Sequence, residues 1–350
     1  MANIRRVHPG VYIKESLLAM EMTAKEFSVR TGISERTLSS IINGSGDITF
    51  DVAFKLATYF DNSITYWTNL QTQYKVYLQE QKEEEIIKKE WELVKCIKKY
   101  LLNGKYINAE DKPRDIVYKC RELVGVNSLL LLNEKDSFVC LKEVHTKENT
   151  NHFFQNFYLA LALKEARKKN KNAFNKNALI NFIDEIRNMT VQDPMYFYPR
   201  LVEIFKECGV SFVLLPYLSK SNIYGATKWF SKDNVMLAIS NRGENADVFW
   251  FTLFHEISHV LMEHRRETLI TAKGIDDIEA DKMAKDILIK EKDWETFVSY
   301  NVYNEITISR FAKKIGIHPC IVLGRLHKEK RVPYNMLNKT FNLQYQITND

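Results

Sequence analysis

The sequence predicts an α+β chain that is mostly helical. Three observations predict it. Residues 1–78 carry a run of short amphipathic segments punctuated by caps and glycines. Residues 79–190 hold long charged segments at helical spacing. Only between 210 and 240 do β-branched runs of strand length occur. The expected organisation is an all-α helix-turn-helix domain (1–78), a helical connector (79–190), a small α+β domain (191–300) and a basic helical tail (301–350). A chain of 350 residues, 45% of them hydrophobic, suffices for more than one core.

The first domain is written in capping chemistry. A helix is expected over Val11–Met20. In "TAKE", Thr23 caps the next helix and Glu26 is placed to reach back, the capping-box pattern. That helix ends at Gly32, where a left-handed backbone costs glycine nothing. Ser34 opens a further helix to Ile42, Asn43-Gly44 stops it, and Thr49 caps a fourth. Phe27, Ile33, Leu38 and Ile41 are spaced for a common core. Helix, glycine turn and helix over Ala24–Ile42 form a helix-turn-helix pattern. In that pattern the second helix lies in a major groove. Its candidate DNA-reading residues are Glu35, Arg36, Thr37, Ser39, Ser40 and Asn43, short polar groups around one arginine. The alternative is an ordinary helical hairpin. Residues 1–79 hold 8 basic and 7 acidic side chains, so the domain brings no general attraction to phosphate.

"QEQKEEEIIKKEWELVKCIKKYLL" (79–102) reads as a connector helix with a solvated charged face, ending at Asn103-Gly104. "FYLALALKEARKKN" is a further helix, and "KKNKNAFNKN" a polar turn. A helix running to Cys208 ends at Gly209. "VSFVLLP", "YGATKWF" and "VMLAIS" read as strands, with "SKDN" as a turn. A helix follows from about Asn245 to His264. After a loop around Gly274, "DDIEADKMAKDILI" forms another. No run of 18 apolar residues occurs, and residues 1–20 do not read as a secretory signal. The five cysteines form no C-x-x-C pair, which disfavours a disulfide framework or thiolate zinc site and makes the reducing cytoplasm the expected compartment.

"HEISH" places His255 and His259 one turn apart on a helix, so both imidazoles can reach one zinc ion. Glu256 follows the first and is the expected catalytic base. A catalytic zinc takes three protein ligands and leaves a fourth position open. The third ligand is expected from a neighbouring element, and Glu279 is the choice, with Asp276 or Asp281 as alternatives. Asp277 and Asp281 are further candidates to accept a ring N–H and orient it. The competing reading is a buried apolar helix whose histidines are only hydrogen-bonded. Strand Val235–Ile239 precedes the site helix; if it forms a sheet edge, it is open to strand addition by a substrate.

Both ends of the chain resemble known families. "HPGVYIKESLLAMEMTAKEFSVRTGISERTLSSIINGSGDITFDVAFKLATYFDNSITYWTNLQTQYK" resembles the HigA-type (XRE) antitoxin domain. "MLAISNRGENADVFWFTLFHEISHVLMEH", with "IEADKMAKDILI" after it, resembles the ImmA/IrrE metallopeptidase family, and "FAKKIGIHPCIVLGRLHKEKRVPYNMLN" matches the tail of its fused members. The resemblance implies a zincin-like, zinc-dependent endopeptidase fused to a DNA-binding regulator. The ligand pattern falls on His255, His259 and Glu279, with Glu256 as base. Relatives often carry a histidine four residues after the second ligand. Glu263 stands there in this sequence, and His264 receives no role.

The expected partners are operator DNA, bound by a homodimer, and a protein substrate such as a repressor; a toxin partner is left open. The alternative is a non-catalytic antitoxin-type repressor whose peptidase fold senses a ligand or binds a partner. The tail repeats the front in miniature. Phe311, Gly316, Ile317 and Val322 are spaced like Phe27, Gly32, Ile33 and Leu38, and residues 306–340 hold 8 basic and 1 acidic side chains. The tail is therefore either a second helix-turn-helix or a helical pair packed on the preceding domain.

Overall fold

The computed structural model describes residues 7–133, 152–169, 172–263, 268–272, 277–337 and 339–346. The chain divides into two compact units, Met1–Lys89 and Glu90–Asp350. The first unit contains helices α1 (Gly10–Ala19), α2 (Ala24–Thr31), α3 (Glu35–Ile42), α4 (Phe50–Phe60) and the start of α5 (Ile64–Val94). Thr23, Ser34 and Thr49 each accept the expected backbone N–H. The capping box at α2 is only half formed. Arg30 Nη2 donates to Glu26 Oε1 at 2.6 Å, so that carboxylate is held one turn onward instead of reaching back to Thr23. Gly32 closes α2 at φ 68°.

The four predicted residues Phe27, Ile33, Leu38 and Ile41 are all buried in one core with Ile13, Leu56 and Trp67. Trp67 and Gln71 lie on α5, which starts well before the expected connector at Gln79. Trp67 Nε1 donates to Asn62 Oδ1 at 2.9 Å, and Gln71 Oε1 accepts from the Ile48 N–H at 2.9 Å. The segment "YWTNLQTQY" therefore completes the helix-turn-helix core.

The second unit begins with the end of α5, α6 (Lys98–Asn103) and α7 (Pro113–Val124). It continues through α8 (His152–Lys169), α9 (Lys176–Asn188) and α10 (Pro194–Glu207). Strands β1 (Val210–Leu215), β2 (Ile223–Trp229) and β3 (Val235–Ser240) follow, then α11 (Ala246–Met262), β4 (Thr268–Ala272) and α12 (Ile278–Leu288). Helices α13 (Glu291–Ser299), α14 (Glu305–Ile315) and α15 (Pro319–Lys328) complete it. The strands form one sheet in the order β1-β3-β2-β4. β1 is parallel to β3, and β2 is antiparallel to both β3 and β4.

This order corrects the expectation for the third strand. β3 lies inside the sheet, flanked by β1 and β2, and all six of its residues are buried. It has no free edge for strand addition. The outer strands are β1 and β4, and β4 forms where the sequence predicts no strand. β1 and β2, consecutive in sequence, are separated in the sheet, because β3 inserts between them, parallel to β1 and antiparallel to β2.

The tail is part of the same core. Ile308, Phe311, Ala312, Ile321, Val322, Leu323 and Leu326 are buried together with Trp250, Leu253 and Phe254 of α11. Gly316 ends α14 at φ 73°, so the repeated helix-glycine-helix motif does form. α15 nevertheless buries most of its surface. Arg325, one of the tail's basic residues, donates to Glu291 Oε2 at 2.7 Å and Glu329 Oε1 at 2.9 Å. The packed helical pair is the reading this geometry matches. A recognition helix needs an exposed face, and apolar burial has taken that of α15.

One buried ion pair ties the start of the second unit together. Glu90 is fully buried, pairs with Arg121 Nη2 at 2.7 Å, and accepts from Arg121 Nε at 2.9 Å, from Ser128 Oγ at 2.6 Å and from the Leu129 N–H at 2.6 Å. Removing one partner of such a pair strands the other charge in low dielectric. The Arg121→Met variant should lose about 3–5 kcal/mol in urea unfolding. The double variant Glu90→Leu with Arg121→Met should recover most of that loss.

Candidate metal centre and candidate nucleic-acid interface

α11 is apolar almost all round, with Trp250, Leu253, Phe254, Ile257 and Val260 fully buried. This places its polar residues inside the protein. His255, Glu256 and His259 retain 4%, 0% and 2% exposure. Buried polar groups at that depth need partners. The two histidines lie one turn apart, and their Nε2 atoms stand 3.1 Å apart with the rings at 79°.

The other nitrogen of His255 is fixed from α12. His255 Nδ1 lies 2.8 Å from Asp281 Oδ1. Burial pulls the His255 pKa down, but the Asp281 hydrogen bond and the charges of Glu256, Asp281 and Asp277 outweigh it, leaving it raised. Asp281 mirrors this: burial raises its pKa, and the His255 bond and charge bring it below the usual carboxylate value. With Nδ1 as donor to Asp281, His255 Nε2 presents its lone pair toward His259.

The structure does not bring Glu279 to the two imidazoles. Glu279 is exposed, and among the described residues no hydrogen bond or ion pair joins it to either imidazole. Asp277 Oδ2 stands 3.8 Å from His259 Nε2. Asp277 is also the N-cap of α12, accepting from the Ala280 N–H at 3.2 Å. The helix turns about 100° per residue, so 277 and 281 share a face and 279 points away from it. Asp276 and His264 lie outside the described residues. Among the described residues, no group of three or more His, Cys, Asp or Glu side chains is already converged to hold a metal ion. Two imidazoles meet, and a carboxylate stands just beyond ligand distance.

Glu256 is positioned by β2. Thr227 Oγ1 donates to Glu256 Oε2 at 2.6 Å. Gly225 lies opposite, and a Cβ there would come within 2.6 Å of Glu256 Oε1 and 2.8 Å of Thr252 Cγ2. Neither residue was singled out from sequence; a glycine inside a strand pattern was the available signal of close approach. A cavity of about 830 Å³ opens beside the site, lined by His255, Asp281, Tyr224, Arg242, Phe251 and Lys328 among others.

In the first unit, Glu35, Arg36, Ser39 and Asn43 are exposed on α3. Asn43 Nδ2 reaches Ser39 Oγ at 3.4 Å, and among the described residues Glu35 and Arg36 hold no ion pair. Thr37 and Ser40 are half-buried and committed locally. Thr37 Oγ1 pairs with Ser34 Oγ at 2.8 Å, and Ser40 Oγ donates to the Thr37 carbonyl at 2.8 Å. A Cβ on Gly46 would come within 2.3 Å of Ser40 Oγ, so Ser40 is walled in by the following turn. Four of the six expected residues thus form the outward face, and two shape the helix ends. The Gly225→Ala variant should be destabilised by about 1–3 kcal/mol through overpacking against Glu256 and Thr252. A denaturant titration with unchanged helical content reads that loss.

A family model described as a helix-turn-helix matches residues 13–67. The chain is 30% identical over 81 residues to virulence-associated protein I of Dichelobacter nodosus, a match covering 23% of this chain and 75% of that protein. It is 32% identical to the solved addiction module antidote protein of a HigA family from Coxiella burnetii. That match covers 25% of this chain and 96% of the other, with a TM-score of 0.23. PA4674 of Pseudomonas aeruginosa, solved in complex with its 28-bp operator DNA, is 27% identical over 23% of this chain and 90% of its own, with a TM-score of 0.22. Through its first unit, the chain belongs to the helix-turn-helix family.

Proposed function

We propose that this chain is a DNA-binding regulator of the HigA antitoxin type whose second unit is a zinc-dependent endopeptidase acting on a partner protein, in the first instance a repressor. The observation that carries the peptidase reading is the 3.1 Å separation of the two Nε2 atoms, with Asp281 on the far nitrogen of His255. Two nitrogens that each bind one tetrahedral zinc at 2.0–2.1 Å are about 3.3 Å apart. The pair therefore fits the ion. His255 and His259 would hold it, with Asp277 as third donor in place of Glu279.

Zinc, when bound there, supplies polarisation of a scissile carbonyl and lowers the pKa of water. Asp281 holds the His255 ring in the tautomer that leaves Nε2 unprotonated. Glu256 takes the proton of the attacking water at its carboxylate and delivers it to the leaving amine nitrogen. Thr227 and Gly225 hold that carboxylate within reach of α11's inner face.

For the first unit, the reading rests on α3. Its exposed Arg36 and Asn43 are of the types that read guanine and adenine edges in a major groove. A second reading is favoured by one observation. As they stand, the imidazoles satisfy each other by one N–H···N bond, and no ligand group of three is converged among the described residues. In that reading the second unit is a sensing or partner-binding scaffold of a non-catalytic repressor.

Metal analysis separates the two. Wild type should hold about one zinc per chain, the ion count that one catalytic site requires. His255→Ala and Asp277→Asn should lose it, and Glu279→Gln should keep it. Glu256→Gln should keep zinc and lose cleavage of a proteome-derived peptide library. Wild type that cannot be loaded with added zinc contradicts the peptidase reading. For the first unit, DNA selected in vitro by the full chain should bind Arg36→Ala or Asn43→Ala more weakly by about 1–3 kcal/mol. Ser40→Ala should bind nearly as wild type.

A further inference from the structure

The cavity beside His255 carries unequal charge. Its two carboxyls are already committed. Asp281 is bonded to His255. Asp247 is packed under α15, where a Cβ on Gly324 would come within 2.5 Å of its Oδ2, and burial raises its pKa. Of the cations, Arg325 is paired with Glu291 and Glu329. Arg242, Lys285 and Lys328 form no ion pair among the described residues, and Arg242 Nη1 donates to the Asn222 carbonyl at 3.1 Å. Arg242 is held at one wall by the rings of Tyr224 at 4.5 Å and Tyr217 at 5.2 Å. Lys328 lies over the Phe251 ring at 5.5 Å, and Lys285 projects from α12 one turn beyond Asp281. Among the described residues, neither lysine has an ion pair within 4.0 Å. Between these cations the wall is apolar, formed by Val248, Phe251, Ile321 and Leu323.

A concave, partly apolar space with convergent polar groups, reaching a ligand histidine, is where a substrate chain would lie. We infer that this cavity selects an acidic peptide: a substrate segment whose Asp or Glu side chains, close to the cleaved bond, are received by Lys285, Lys328 and Arg242. The inference rests on the peptidase reading and names its substrate class. It also assigns α15 a role. The packed tail helix supplies a specificity residue, Lys328, and part of the cavity wall.

The probes are two fluorescein-labelled octapeptides of Ala, Leu and Ser, one carrying two Glu and the other two Lys. They are titrated by fluorescence anisotropy into the full-length Glu256→Gln protein. The Glu peptide should bind at least tenfold more tightly. Lys285→Glu with Lys328→Glu should abolish that preference, and Lys285→Gln with Lys328→Gln should reduce it, with thermal unfolding near that of the parent. Arg36→Ala should leave it unchanged, which excludes binding by the helix-turn-helix unit. Equal binding of the two peptides, or a preference that survives the double lysine variants, overturns the inference. Cleavage by zinc-loaded wild type distinguishes the two levels. If the Glu peptide binds through the lysines and is not cut, the peptidase reading fails and the acidic site stands. If both peptides are cut equally well, the peptidase reading stands and the acidic site fails.

Discussion

The candidate centre depends on one hydrogen bond, from His255 Nδ1 to Asp281 Oδ1 at 2.8 Å. It fixes which nitrogen of the ring faces inward and holds the ring plane against α12. Without it, a buried imidazole would find another acceptor or turn its protonated nitrogen toward His259. With it, the two Nε2 atoms meet at 3.1 Å in an interior that excludes most water. The bond in turn requires α12 to lie along α11, and small Ala280 and Ala284, both fully buried on α12, allow that approach.

The sheet and tail complete the same arrangement from other sides. β2 gives a wall that is smooth at Gly225 and hydrogen-bonding at Thr227, which sets the Glu256 carboxylate. α15 lies over α11 and closes one side of the cavity, with Gly324 permitting contact at Asp247. A motif-bearing helix alone would be an apolar segment with five buried polar residues, His255, Glu256 and His259 among them. Strand, second helix and tail together convert it into a site.

Much of this was legible in the sequence where local chemistry dominates. The caps at Thr23, Ser34 and Thr49, the turn at Gly32 and the core residues of the first unit follow from hydrogen-bonding and periodicity within a few residues. "VMLAIS" was legible as a strand for the same reason, but its central place in the sheet was not. Pairing order is a non-local property, and a continuous apolar run carries no record of which strand lies beside it. Glu279 is the residue the sequence favours, because it lies on the next helix, 20 residues after His259, and is followed by small Ala280. The usable signal was spacing: Asp277 and Asp281 are four apart, as His255 and His259 are, and two helices that face each other present such pairs. The tail's resemblance to a helix-turn-helix was real at the level of local structure. Burial of its second helix, set by contacts with α11, matches the packed helical pair.

Anomalous diffraction at the zinc edge from crystals of the full chain grown with zinc tests the central claim most directly. The account predicts a single strong peak within bonding distance of both Nε2 atoms, with Asp277 drawn in as the carboxylate ligand and Asp281 still on His255 Nδ1. A metal-free histidine pair with the N–H···N bond intact, or a peak ligated by Glu279 with Asp277 turned away, would contradict it.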